Sequence, residues 1–519
     1  MTSTLYRGGT VLTPDVPAAT ALLVADGRVA WVGAAADAPE ADEVVELGGA
    51  LVTPGFVDAH AHVLDTGLRL DALNLSGARR VDDVLAAVRD AVDGPLGRRL
   101  ASDGVPLTGY GWDEHAWDEG RAPTRAELDA AAGGAPVYLG RVDLHSGVVS
   151  TSFAQVLGLP ALPGWHEDGR VTGEAHAAAR TAVREAAGAR RAELDERALA
   201  AAARAGIVAL HEQSVPHADT RAGLADLLAR TADPASGLPL VVGYRAERCE
   251  TTDDARELLA AVPGLTGIGG DLAVDGSLGS RTAALRAPYA DAPGDAGQLD
   301  LTAEQVSNHV AAVTRAGVQA AFHVIGDRAM DEVLLGFRAA AEVEGVEGVR
   351  RAGHRLEHAS MLDAPALATL VLLGLTVSAQ PAFDAAWGGD GGLYAARLGA
   401  GRAASLHPLA DLRAAGVPLA FGSDSPVTPF DPWGAVRAAA RHRTADQRLP
   451  VAAALAAHAR GGWLAAGSTE PDAGLLRAGA PADLAVWGSA GLPALDPGDP
   501  APDCLRTVRA GVVLHDALG

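Results

Sequence analysis

Between residues 302 and 427 the hydrophobic positions change period repeatedly. In TAEQVSNHVAAVTRAG the apolar residues recur three and four apart, the spacing of one helix face. The following VQAAFHVIG is a short, nearly continuous apolar run, as in a strand buried on both faces. The same exchange recurs in DRAMDEVLLGFRAAAEVEG and HRLEHAS, in DAPALATLVLLG and LTVSAQPAF, and in PLADLRAAG and VPLAFGSDSPV. ERALAAAARAG and IVALHEQS repeat it earlier in the chain. Helix–strand alternation with short connections predicts a parallel sheet, either doubly wound or closed into a barrel. No glycine-rich phosphate fingerprint opens the series, which weighs against a dinucleotide-binding fold.

The two ends read differently. LYRGGTVLT, ALLVADGRVAWVG and VVELGGALVTPG are short β-leaning runs, with Asp26-Gly27 placed as a hairpin turn. GAPADLAVWG and CLRTVRAGVVLHD near the other end have the same character, so residues 1–57 and 466–519 are expected to form one small sheet domain. Residues 58–465 then hold the alternating α/β unit. About residues 65–180 break its rhythm with GYGWDEHAWDEGRAPT and GWHEDGRVTGE, read here as a loop-rich insertion near the first strand.

Composition narrows the classes. The chain has 519 residues and a formal net charge of −23, which repels phosphate backbones and makes nucleic acid an unexpected partner. No charge-free apolar stretch approaches the roughly 20 residues of a membrane span, and the N-terminus lacks a basic region followed by an apolar core. Two distant cysteines, Cys249 and Cys504, exclude a disulfide framework and make a reducing cytoplasm the default expectation. All 42 basic residues are arginine, so lysine nucleophiles and Schiff bases are excluded. A homo-oligomer is compatible with all of this.

Polar residues interrupt the apolar strands at their carboxyl ends. GFVDAHAHV carries His60 and His62, which as i and i+2 in a strand project to one side. AAFHVIGD adds His323, RLEHAS adds His358, and AFGSDSPV adds Asp424. In a (β/α)8 barrel such ends converge on one face. Four imidazoles and one carboxylate are the donor set of a divalent metal site.

With these residues in view, the chain resembles the amidohydrolase superfamily, in the branch of YtcJ-like proteins and N-substituted formamide deformylases. The resemblance runs in order through GFVDAHAHV, GYGWDE, RVDLHSGVVST, VDGSLGSRTAAL, HVIGDRAMD, LEHAS, SAQPAF, FGSDSPV and GAPADLAVW. It implies an α/β fold, a TIM-like barrel with a small β-sandwich built from both termini. It also implies hydrolysis of an amide, N-substituted formamide or similar C–N bond of a small molecule by metal-activated water. By position, His60, His62, His323, His358 and Asp424 would hold the metal, with Asp424 and His358 as catalytic residues. A deaminase of the same fold is the alternative, and a metal-free binding or scaffold protein a distant one.

One position departs from the pattern. Many relatives bridge two metals through a carbamylated lysine four residues before the aspartate of DGSLGS; here that position is Asp271, whose side chain is much shorter. One ion, zinc being the best match to this donor set, is therefore expected rather than two, with Asp271 behind the ligands or beside a displaced metal. Asp271 and Asp275 are expected on one face of a strand. Glu212 is a weaker bridging candidate. Trp112, His145, Asp275 and Arg281 are the expected substrate contacts, with Trp117 and Trp387 as further aromatic candidates in loops around an apolar acyl or N-substituent. Arg281 is equally readable as an ion-paired loop staple.

Overall fold

A computed structural model describes residues 3–496 and 498–518. Its centre is an eight-stranded parallel sheet: β1 (Phe56–Ala61), β2 (Ile207–Ser214), β3 (Leu240–Arg245), β4 (Leu265–Ile268), β5 (Gln319–Val324), β6 (Arg355–His358), β7 (Thr376–Ala379) and β8 (Leu419–Phe421). Each strand pairs with its chain neighbour in this order. The edge strands meet beyond their ends, where Asp424 N–H donates to His60 C=O at 2.7 Å and Ala61 bridges to Ser425. Closure removes the open edges that a sheet of this size would otherwise expose.

The strands are apolar on both faces because side chains fill the interior and helices cover the outside. The helix Ala303–Ala316 shows how the sequence sets one such cover. Thr302 and Gln305 form a reciprocal capping box at its start, and Gly317, at φ 82°, ends it. Val306, Val310 and Val313 point inward from its buried face, each stabilising by on the order of 1.5–3 kcal/mol. Thr302→Ala removes the cap and costs about 1 kcal/mol.

Two small sheets lie beside the barrel, one built from N-terminal strands alone and the other from strands of both ends. One orders Arg28–Gly33, Ala21–Ala25, Thr4–Arg7 and Glu43–Glu46; the other orders Thr10–Val11, Leu51–Pro54, Leu484–Trp487, Cys504–Arg509 and Val512–Asp516. They share a core that includes Tyr6, Leu22, Val52, Leu484 and Val508. Phe56 of β1 meets Trp433 and Trp487 edge-on at 5.3 and 5.6 Å, fastening this unit to the barrel.

The insertion is more ordered than its loop-rich sequence suggests. It holds a five-stranded sheet in the order Arg170–Thr172, Ser146–Val149, Val137–Arg141, Leu107–Trp112, Leu73–Asn74, flanked by helices. GYGW reads as a turn, but Gly109 is there for packing: a Cβ would lie 2.9 Å from Leu139 and Leu75 side chains. Trp112, expected in a loop, ends a strand and is 2% exposed. Among the described residues no helix is long and apolar enough to cross a membrane.

Candidate metal centre

The five residues singled out as ligands meet at the carboxyl-terminal rim of the barrel. β1 supplies His60 from within the strand and His62 just beyond it, β5 supplies His323, β6 ends in His358, and Asp424 follows β8. His358 and Asp424 have left-handed backbones, φ 66° and 55°. That conformation costs a non-glycine residue about 1–2 kcal/mol, a strain that clusters at functional sites.

Two groups of donor atoms lie within reach of a single ion: His60, His62 and Asp424, and His60, Asp271 and His358. Asp424 Oδ1 is 3.5 Å from His60 Nε2 and 3.2 Å from His62 Nε2. A tetrahedral ion with zinc–ligand bonds near 2.1 Å separates its ligand atoms by about 3.4 Å. His60 Nε2 is moreover buried without a hydrogen-bond partner, an arrangement that is costly unless something else occupies its lone pair. The donor set therefore fits a divalent ion.

Asp271 is central to the cluster, closer than a position behind the ligands. Its Oδ1 is 2.9 Å from His323 Nδ1, 3.7 Å from His358 Nε2 and 3.9 Å from His60 Nε2, and its Oδ2 is 3.6 Å from His62 Nε2. The expected strand face shared with Asp275 does not exist. β4 stops at Ile268, and Gly269 and Gly270 turn the chain at φ 117° and 73°. Asp275 instead accepts backbone N–H groups from Ala284, Ile325 and Gly326 at 2.8–3.0 Å, which ties the loop to the end of β5.

Groups behind the ligands fix their tautomers. His60 Nδ1 faces Glu357 Oε2 at 2.9 Å, His358 Nδ1 faces Gln380 Oε1 at 2.7 Å, and His323 Nε2 faces the Gly276 carbonyl at 3.3 Å. Each partner accepts, so the outer nitrogen carries the proton and the inner one is left as a donor to the site. Glu357 is in turn gripped by Arg355, Nε to Oε1 at 2.6 Å, and both are fully buried. Sequence reading passed over Glu357 and Gln380. The available signal was Arg355 and Glu357, opposite charges two apart in a strand buried on both faces.

The electrostatics also call for a cation. Burial opposes the charge on the His62 imidazole, but Asp424, Asp271 and Glu212 outweigh it and push it up to about 10. Burial likewise opposes His323, and Asp271 raises it to about 9. Burial would lift Asp271 and Asp424, yet the surrounding imidazoles hold both below the usual carboxylate range. Without a metal the carboxylates thus draw protons onto histidine, and an ion displaces them.

The remaining candidates divide. His145 lies against His323, with ring centroids 5.4 Å apart, and burial depresses it to about 4. Trp387 lines a cavity that ends on His323, His358 and Asp424. A second cavity approaches the same centre from His62, Asp271 and Arg180. Trp112 and Trp117 pack on each other in the insertion's core instead and line neither of these cavities. Arg281 is paired with Asp291 at 2.7 Å, away from the ligands, as a loop staple. Glu212 accepts Val63 N–H at 2.6 Å and so caps the helix that begins there.

Comparison with known proteins agrees with this architecture. The amidohydrolase family pattern matches residues 43–515. The chain is 26% identical to the N-substituted formamide deformylase of Arthrobacter pascens across 96% of both chains. It is also 26% identical to YtcJ of Bacillus subtilis, over 79% of this chain and 77% of that protein. A crystal structure of an uncharacterized metal-dependent hydrolase from Pyrococcus horikoshii superposes with a TM-score of 0.70 at 25% identity, covering 94% of this chain and 97% of that one. The chain belongs to the amidohydrolase family, and it is a metal-dependent hydrolase of carbon–nitrogen bonds.

Proposed function

We propose that the enzyme hydrolyses an amide or N-substituted formamide whose non-reacting substituent enters the cavity lined by Trp387. In this reading one zinc ion is held by His60, His62 and Asp424, with Asp271 closing the set. The carrying observation is the group of three donors spaced 3.2 and 3.5 Å about Asp424 Oδ1, one of them a buried nitrogen with no partner.

A bound divalent ion supplies a Lewis acid and brings the ionisation of water into the neutral range. Asp424 takes the proton of the attacking water and returns it to the departing nitrogen. The balance closes: a C–O bond replaces the C–N bond, and the proton lost by water becomes an amine N–H. Gln380 keeps the proton of neutral His358 on Nδ1, so His358 offers a lone pair to the site rather than a proton. His323 does the same through Nδ1, with its other nitrogen on the Gly276 carbonyl. The aromatic cavity excludes water around the substituent and orients it.

A two-ion reading is favoured by one observation. The two oxygens of Asp271 face different histidines, Oδ1 towards His323 and His358 and Oδ2 towards His62, as a bridging carboxylate would. Elemental mass spectrometry of purified protein separates the readings. One zinc per chain, absent from a His60→Ala/His62→Ala variant, is the expected result. Two per chain would make Asp271 a bridge. No metal after incubation with zinc, manganese or iron would overturn the assignment.

A further inference from the structure

The cavity that ends on His323, His358 and Asp424 has an aromatic wall. Phe383, Trp387 and Tyr394 follow one another along it, with ring centroids 5.1 and 6.2 Å apart in sequence. Phe383 also stacks parallel to His358 at 6.0 Å, which joins the wall to the metal centre. Such a wall suits any apolar group, so its electrostatic backing decides which substituent it favours.

That backing is negative. Arg141 meets three carboxylates, Asp113 at 2.8 Å, Glu114 at 2.9 Å and Asp143 at 3.0 Å. Asp143 lines the cavity together with Arg141, so the excess of negative charge comes from Asp113 and Glu114 on the far side of that guanidinium. Arg281 and Arg397 lie beyond Gly279 but share Asp291. Across both clusters four carboxylates outnumber three guanidiniums. Asp113 also accepts the indole N–H of Trp387 at 3.0 Å. A carboxylate on that N–H pushes electron density into the ring and strengthens its negative face. The Tyr394 hydroxyl reports the same field: burial raises it well above its ordinary value, and Asp384, Asp143 and Asp113 add to the rise against Arg141 alone.

We propose that this cavity selects a substrate substituent that ends in an organic cation, an alkylammonium or quaternary ammonium group seated against the Phe383–Trp387–Tyr394 wall. An aromatic face attracts a desolvated cation, and the excess carboxylate charge behind it adds to that attraction. The proposal rests on the reading that the cavity receives the non-reacting part of the substrate, but its test needs no turnover.

Choline and 3,3-dimethylbutan-1-ol have the same shape and the same hydroxyl and differ only in charge. Calorimetric titration of each into the zinc-loaded enzyme should show choline bound about tenfold more tightly. Trp387→Leu should abolish the preference, whereas Trp387→Phe, which keeps an aromatic face, should retain most of it. Asp113→Asn should reduce it. Equal affinity for the two probes, tighter binding of the alcohol, no detectable choline binding, or a preference that survives Trp387→Leu would each overturn the proposal. Failure of the metal assignment would appear separately, as absent zinc.

Discussion

The histidines at the rim of the barrel and those in its wall are buried alike, but they are used in opposite ways. His60 and His323 at the rim are 0% and 3% exposed, and His309 and His354 in the wall are both 0% exposed. In the wall both ring nitrogens are spent on neutral partners. His309 accepts Cys249 N–H at 3.0 Å and donates to the Ile268 carbonyl at 3.1 Å. His354 accepts Ala320 N–H at 2.8 Å and meets the Thr314 hydroxyl at 2.9 Å. With no carboxylate near, burial drives these rings down, to about 4 for His309 and about 3 for His354. At the rim one nitrogen is tied back and the other faces carboxylates. Burial therefore does not separate the two groups; an uncommitted nitrogen beside unmatched negative charge does, which marks the rim histidines as the candidate ligands.

This contrast can be broken at either region. The largest effect belongs to Asp424→Asn, which removes the proposed proton acceptor and should lower kcat by about 10²–10⁴-fold in metal-loaded enzyme. A loss below tenfold would take Asp424 out of the proton transfer. Glu357→Gln weakens the acceptor behind His60, and a chelator competition should show metal affinity down about 10–100-fold. Unchanged affinity would mean that the Glu357 link only packs the strand. His354→Leu leaves Ala320 N–H without an acceptor and should lower unfolding free energy in urea by about 1–3 kcal/mol, with metal affinity intact. A joint loss of metal would erase the distinction between wall and rim.

A pH series gives the smallest effect. The folded values of His309 and His354 lie below the ordinary 6.5, so between 6.5 and about 4 for the first, or about 3 for the second, the unfolded chain binds the extra proton. Their contribution to stability is complete above pH 6.5 and is lost as pH falls through that window. In denaturant titrations across it, replacing His309 with a non-titrating residue should flatten the slope. An unchanged slope would assign the acid sensitivity to other groups.

The sequence makes part of this legible and conceals the rest for physical reasons. His60, His62, His323, His358 and Asp424 stand out because each is a polar intrusion in an apolar run, a local signal. Asp271 is misplaced by local reasoning because β4 ends at Ile268 and two glycines reorient the chain before it. Glu357 becomes meaningful only through His60, 297 residues away. Trp112 looks available in a glycine-rich stretch, but the sheet that buries it pairs segments spread from Leu73–Asn74 to Arg170–Thr172, and no local pattern reveals that pairing. Barrel strands show because helices alternate regularly with them; the insertion's strands, such as the glycine-interrupted LTGYGW, lack that rhythm.

The pairing of Leu51–Pro54 with Leu484–Trp487 has a consequence for the order in which the molecule can be completed. The Trp487 indole donates to Thr53 Oγ1 at 2.9 Å, a contact spanning 434 positions, and that strand leads directly into β1. On a ribosome, His60 and His62 emerge long before Asp424, and the strand that clasps their own arrives later still. A growing chain therefore displays two imidazoles without the carboxylate that would hold an ion beside them. The proposed donor set can be complete only once Asp424 has emerged and β8 has closed the barrel against β1.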